Sequence, residues 1–166
     1  MPDAPVTPVV RIQAEEFDLA AEAAALSRDR RDVGAVVTFS GICRDDAGTL
    51  AALELEHYPG MAEAEIMRIA RQAAERWPLT GLTAIHRHGR IAPGENIVLV
   101  VAASAHRQAA FEAASFLMDF LKTRAPFWKK EHRRDGTEGG WVEARDADDH
   151  AASRWASGDQ PAEIKS

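Results

Sequence analysis

NIVLVVAASAHRQAAFEAASFLMDFLKTRAPFWKKEHRR occupies residues 96–134. Its first ten residues are an almost unbroken apolar run with several β-branched side chains, which predicts a buried strand over 96–105. The period then changes. Phe111, Ala114, Leu117, Met118 and Leu121 recur at helical spacing, which predicts a long helix over 106–125 with these residues on its buried side. Pro126 cannot continue that helix and disfavours helical geometry at Ala125. FWKKEHR (127–133) then reads as extended chain, in which Lys129 and Glu131 share one side while Trp128 and Lys130 share the other.

Working outward, the same alternation holds. VVRIQAEEF (9–17) contains a short strand, and DLAAEAAALSR (18–28) reads as a helix with Asp18 as N-cap. DVGAVVTFSGIC (32–43) is apolar and β-branched, so a buried strand is expected there. RDDAG (44–48) is a turn, and TLAALELEHY (49–58) a strand. Pro59-Gly60 precedes a helix over 61–77 whose Ile66, Ile69, Ala70, Ala73 and Trp77 form one apolar stripe. LTAIHRHG (82–89) is a strand, and a turn follows at 91–95. Past the opening stretch, DGTEGG (135–140) turns, GWVEA returns as a strand and a short helix covers 146–156. Strands alternate with helices, yet hairpin signals also occur. The expected class is therefore α+β (mixed α/β): a mixed sheet flanked by helices. The organisation expected is a flexible arm over 1–8, one domain over 9–156 and a flexible tail over 157–166. No glycine-rich loop follows the first strand, which counts against a dinucleotide fold.

Charge is distributed unevenly. The 166 residues carry a net charge of −6, yet residues 105–134 hold seven Lys or Arg against three Asp or Glu. An acidic protein with one basic island suggests a local anion site rather than a nucleic-acid coat. No apolar run is long enough to span a bilayer, and MPDAPVTP lacks the features of a secretory signal, so a cytoplasmic location is expected. Cys43 is the single cysteine and cannot form an intrachain disulfide.

Several residues could carry chemistry. Lys122 lies in the last turn of the long helix, where a cation complements the helix dipole, and Lys129 lies seven residues on, past Pro126. Crowded cations repel unless an anion binds between them, and lysine suits proton transfer because burial readily shifts its pKa. His106-Arg107 sits where a strand hands over to a helix, with Ser104 as the expected cap, and free N–H groups there attract anions. Arg44 opens a turn at a strand end, and its guanidinium suits forked phosphate contacts. His86 and His88 alternate on one strand face, but two histidines without a third ligand make no metal site.

GAVVTFSGICR (34–44), LELEHYPGM (53–61), SAHR (104–107), LKTRAPFWKKE (121–131) and WVEA (141–144) resemble the large, catalytic subunit of molybdopterin synthase, from about Gly34 to Trp155. The resemblance implies an α/β hammerhead fold. It implies a reaction that adds two sulfur atoms to cyclic pyranopterin monophosphate (precursor Z) to make the dithiolene of molybdopterin. Sulfur would come from the C-terminal Gly-Gly thiocarboxylate of a small ubiquitin-like carrier subunit. The assembly implied is a heterotetramer built on a homodimer of large subunits, without cofactor, metal, nucleic acid or membrane. By the same resemblance, Lys122 and Lys129 are the catalytic lysines. Arg44, His106, Arg107, Lys130 and Glu131 would bind substrate. Relatives can carry a basic residue just before the position of Arg44, where this chain has Ile42 and Cys43. The rival readings are a non-catalytic subunit that binds a phosphorylated metabolite or scaffolds the complex, and a small nucleic-acid-binding domain using the basic stretch.

Overall fold

The computed structural model describes residues 4–142 and Trp155. Two sheets organise them. Strands β1 (Val9–Gln13), β4 (Leu79–Arg87), β6 (Asn96–Ser104) and β2 (Ala35–Ile42) lie side by side in the order β1-β4-β6-β2. The β1–β4 pairing is parallel and the other two are antiparallel. Strands β5 (Gly89–Ile91), β3 (Leu50–His57) and β7 (Phe127–Arg133) form a smaller antiparallel sheet in the order β5-β3-β7. Helices α2 (Met61–Arg76) and α3 (Arg107–Thr123) pack on one face of the larger sheet, and the short α1 (Leu19–Ala25) packs on the other. The expected mixed α+β class holds.

Strand β6 is apolar along its length because it is central and covered on both faces. Val98, Val100 and Ala102 face Ile66, Ile69, Ala113 and Leu117 of the two long helices, while Leu99 and Val101 meet Phe17, Ile85 and Leu26. A third cluster of Cys43, Leu50, Leu55 and Ile91 lies under the smaller sheet. Trp155 caps the helical layer. Its ring meets Trp77 and Phe116 edge-on, its Nε1–H donates to Asp119 at 2.6 Å, and the Arg76 guanidinium lies 5.5 Å from its centre.

Four expectations need correction. Strand β2 is not buried: it is an edge strand, with Val36, Phe39 and Ile42 exposed, because only β6 pairs with it in the sheet. Phe111 is 60% exposed, and the buried stripe of α3 runs instead through Ala110, Ala113, Ala114, Leu117 and Leu121. His106, not Ser104, is the N-cap of α3. Ser104 Oγ donates to the Pro78 carbonyl at 2.8 Å and accepts the His106 N–H. Finally, residues 82–89 are not one strand: β4 begins earlier, at Leu79, and Gly89 opens β5 with φ 85. Of the returning segment, Val142 makes an isolated bridge to Lys129. The expected strand beyond it, the helix over 146–156 apart from Trp155, the tail 157–166 and the first three residues of the arm lie outside the described residues.

Candidate active site

The last turn of α3 and the start of β7 build the site. Thr123 Oγ1 donates to the Asp119 carbonyl at 2.9 Å as the helix closes. Pro126 then ends it, and the Phe127 N–H donates to the Ala125 carbonyl at 2.8 Å in a tight reversal. Lys122 stands exposed on the final helical turn. Strand β7 pairs with β3 so that Phe127 faces His57, Lys129 faces Leu55 and Glu131 faces Leu53. Alternation puts Phe127 and Lys129 on the face shared with the buried Leu55. The two expected catalytic lysines thus flank one turn, with Phe127 between them.

Two imidazoles stack on Phe127. His86 stacks on it with ring centres 3.8 Å apart and planes 17° from parallel, and His57 stacks at 5.8 Å. His57 in turn lies 4.7 Å from His88. His86 Nδ1–H donates to the Arg87 carbonyl at 2.8 Å, which leaves Nε2 as the unprotonated nitrogen of a neutral ring. Burial pushes the His86 pKa down to about 4; the carbonyl bond opposes this, and Lys122, His57 and His88 add to it. Burial, then His88, lowers His57 as well, against Glu63 and Glu56. These imidazoles were missed as a group by the sequence. The alternation of His86 and His88 is visible in the sequence, as a pair on one strand face. Among the described residues, no cluster of three metal-ligating side chains forms. His57 joins only through the β3–β7 register, which leaves no local signal.

The substrate-binding residues expected on β7 separate. Lys130 lies on the opposite face from Lys129. There it pairs with Glu138 at 2.8 Å and sits 5.4 Å from the Trp141 ring centre. The hydrogen bond to Glu138 holds its ammonium above the ordinary lysine range. His132 on the same face bridges Glu54 at 2.8 Å and Glu138 at 3.4 Å. Glu131 shares the Lys129 face but is exposed, and its carbonyl accepts the Gly139 N–H at 2.9 Å.

Arg44 and the His106-Arg107 pair lie at opposite ends of the large sheet. Strand β2 runs against β6 with Ala35 beside Ser104 and Ile42 beside Asn96, so Arg44 emerges at the Asn96 end. Helix α3 folds back along β6, which brings Lys122 toward that end too. Arg44 is well exposed, 3.4 Å from Asp46. His106 and Arg107 start α3 and are exposed. Fifteen residues separate Arg107 from Lys122, so they stand roughly 22 Å apart along the helix axis. Within one chain, the arrangement is a pair of lysines at one end and a cationic helix start at the other.

A family model described as MoaE protein matches residues 12–124. The chain belongs to the MoaE family. A relative named molybdopterin synthase catalytic subunit, from Mesorhizobium japonicum, is 75% identical over 152 residues, which is 92% of this chain and 96% of that one. Among solved structures, the molybdopterin biosynthesis MoaE protein from Burkholderia ambifaria superposes with a TM-score of 0.77 at 47% identity, covering 90% of this chain and 98% of that chain. Molybdopterin synthase from Staphylococcus aureus superposes at 0.69 with 30% identity, covering 78% and 95%. This MoaE chain carries the two lysines, Arg44 and the His106-Arg107 pair of the resemblance first read from the sequence.

Proposed function

We propose that this MoaE protein is the catalytic subunit of molybdopterin synthase, acting as a sulfurtransferase. It moves two sulfur atoms onto cyclic pyranopterin monophosphate, one from each of two C-terminal thiocarboxylates of the small ubiquitin-like carrier subunit, each of which is left as a carboxylate. The observation that carries this reading is the placement of Lys122 and Lys129 on either side of the Pro126 turn, with Phe127 between them. Two lysines so placed can receive an anionic tail. They can orient its sulfur and hold or release protons as it adds to the pterin side chain. Arg44, His106 and Arg107 neutralise the phosphate as its ring opens. Lys130 is tied to Glu138 on the other face, so its part in this reading is to fix the strand that carries Lys129. The reading places the protein in the cytoplasm, and no helix among the described residues is long and apolar enough to cross a membrane.

The spacing along α3 supports a homodimer within a heterotetramer. Lys122 and Arg107 cannot meet one small substrate from the same chain at roughly 22 Å. Strand β2 has an unpaired edge, no charged residue and exposed Val36, Phe39 and Ile42, which suits it to pair with a second copy. Twofold antiparallel pairing through β2 carries the Ala35 end of one copy to the Ile42 end of the other. The His106-Arg107 start of one α3 then approaches the Arg44 and Lys122 end of its partner.

Reconstitution tests the reaction. The protein is mixed with cyclic pyranopterin monophosphate and a thiocarboxylated small subunit, and the dithiolene product is followed by mass spectrometry. Lys122→Ala is expected to lower turnover by about 100-fold or more while keeping the fold. A folded Lys122→Ala protein with near-normal turnover removes the lysine from the chemistry. A complex that forms but makes no product favours the scaffold reading.

A further inference from the structure

Two histidines from separate strands stack on Phe127, which lies between the two lysines in sequence, and a third, His88, lies against one of them. His86 comes from β4 and His57 from the end of β3, while His88 lies between β4 and β5. Glu63 of α2 lies 4.0 Å from His57, and Glu63 itself accepts the Gly60 N–H at 2.7 Å. His86 has its Nδ1 committed to the backbone and its ring flat against Phe127. The groups acting on it are Lys122 from α3, His57 from β3 and the neighbouring His88.

We propose that His86, together with His57, is a positioning residue for the lysine pair: the two imidazoles stacked on Phe127 clamp its ring and so fix how Lys122 and Lys129 stand across the Pro126 turn. This rests on the sulfur-transfer reading for its purpose, but not for its geometry. The turn is anchored at its start by the Arg124 N–H, which donates to the Phe120 carbonyl at 2.8 Å, and Ala125 and Phe127 pack against the main core. Between the end of α3 and the start of β7 lie Arg124, Ala125 and Pro126. Phe127 N–H to Ala125 O is the bond that closes them. The stack fixes the ring that follows, and alternation then fixes the side of β7 from which Lys129 projects. Neutrality matters because a charged imidazole at His86 would face Lys122 with like charge inside a buried wall. His86 is too weak a base, at about 4, to take a proton from an ammonium, so its part is placement and not proton transfer.

The test compares His86→Ala, His86→Phe and Phe127→Leu in the complex with the thiocarboxylated small subunit. Two readouts are taken: kcat and KM for cyclic pyranopterin monophosphate, and the side-chain NMR resonances of Lys122 and Lys129. His86→Ala and Phe127→Leu are expected to lower kcat about tenfold or more with KM within about twofold, and to move both lysine resonances. His86→Phe keeps a neutral ring on Phe127. It is expected to restore most of kcat and leave the lysine resonances near their wild-type positions. Should His86→Ala fail to fold, Phe127→Leu still breaks the stack with His86 in place. Unmoved lysine resonances in folded Phe127→Leu would overturn the proposal, as would a His86→Phe protein as impaired as His86→Ala. If the wild-type complex makes no dithiolene, the sulfur-transfer reading fails while the resonances still decide the clamp.

Discussion

At the residue scale, His86 ties the pocket to acid stability. Its ring titrates near 6.5 when exposed and is held to about 4 by burial in the fold. The unfolded chain therefore takes up a proton as pH falls through 6.5, and the folded chain does so only near 4. Stability from this group is complete above 6.5 and is lost as pH falls through that window, by about 3 kcal/mol in all. Urea unfolding at pH 7, 5.5 and 4.5 should show the decline, and His86→Phe should flatten it. A decline of equal size in His86→Phe would assign the acid sensitivity to other groups. Lys122 and Lys129 were legible as single residues because the string around them is distinctive. The clamp was not, since its two imidazoles reach Phe127 through the register of two sheets rather than through spacing along the chain.

At the element scale, the turn from β6 into α3 depends on one close approach. The Gly34 N–H donates to the Ser104 carbonyl at 3.0 Å, and a β-carbon built on Gly34 runs into the backbone carbonyl oxygen of Ala105. That obstacle is backbone, not a side chain that can swing away. Gly34→Ala should cost about 3 kcal/mol in chemical denaturation, and its residual activity should fall because the turn carries His106 and Arg107. A cost below about 0.5 kcal/mol would mean that the turn shifts freely. Element boundaries for the long helices and for β3 and β6 were readable from period and from Pro and Gly. Burial was less so. An apolar run such as AVVTFSGI reads alike in a central and an edge strand, because the neighbour is chosen by topology. Phe111 failed for a related reason: Ala110 and Phe111 are both apolar, and packing on β6 and α2 selected the smaller residue for the inside.

At the scale of the whole molecule, the two ends of α3 make a prediction about mixtures. If each site takes Lys122 from one copy and Arg107 from the other, a mixed dimer of Lys122→Ala and Arg107→Ala chains contains one intact site and one doubly damaged site. Random refolding of equal amounts should recover about a quarter of wild-type turnover from two nearly inactive parents. No recovery, with mixed dimers shown to form, would mean that Lys122 and Arg107 do not serve one shared site. The same geometry predicts that Phe39→Lys with Ile42→Lys weakens self-association in sedimentation, because charge is placed on an edge that now carries none.

The four tryptophans divide into two optical populations. Trp77 and Trp155 meet edge-to-face in the helical layer, 5.7 Å between ring centres. Trp128 lies on β7 beside Tyr58, and Trp141 stands near Lys130, 46% exposed. The edge-to-face pair should give a near-ultraviolet dichroism signal that disappears only when α2 and α3 come apart. In the sulfur-transfer reading, the other two should respond by fluorescence when the carrier subunit covers the Lys130 face of β7. One unlabelled sample thus separates loss of fold from arrival of the carrier, with the first signal serving as a constant against which the second is read.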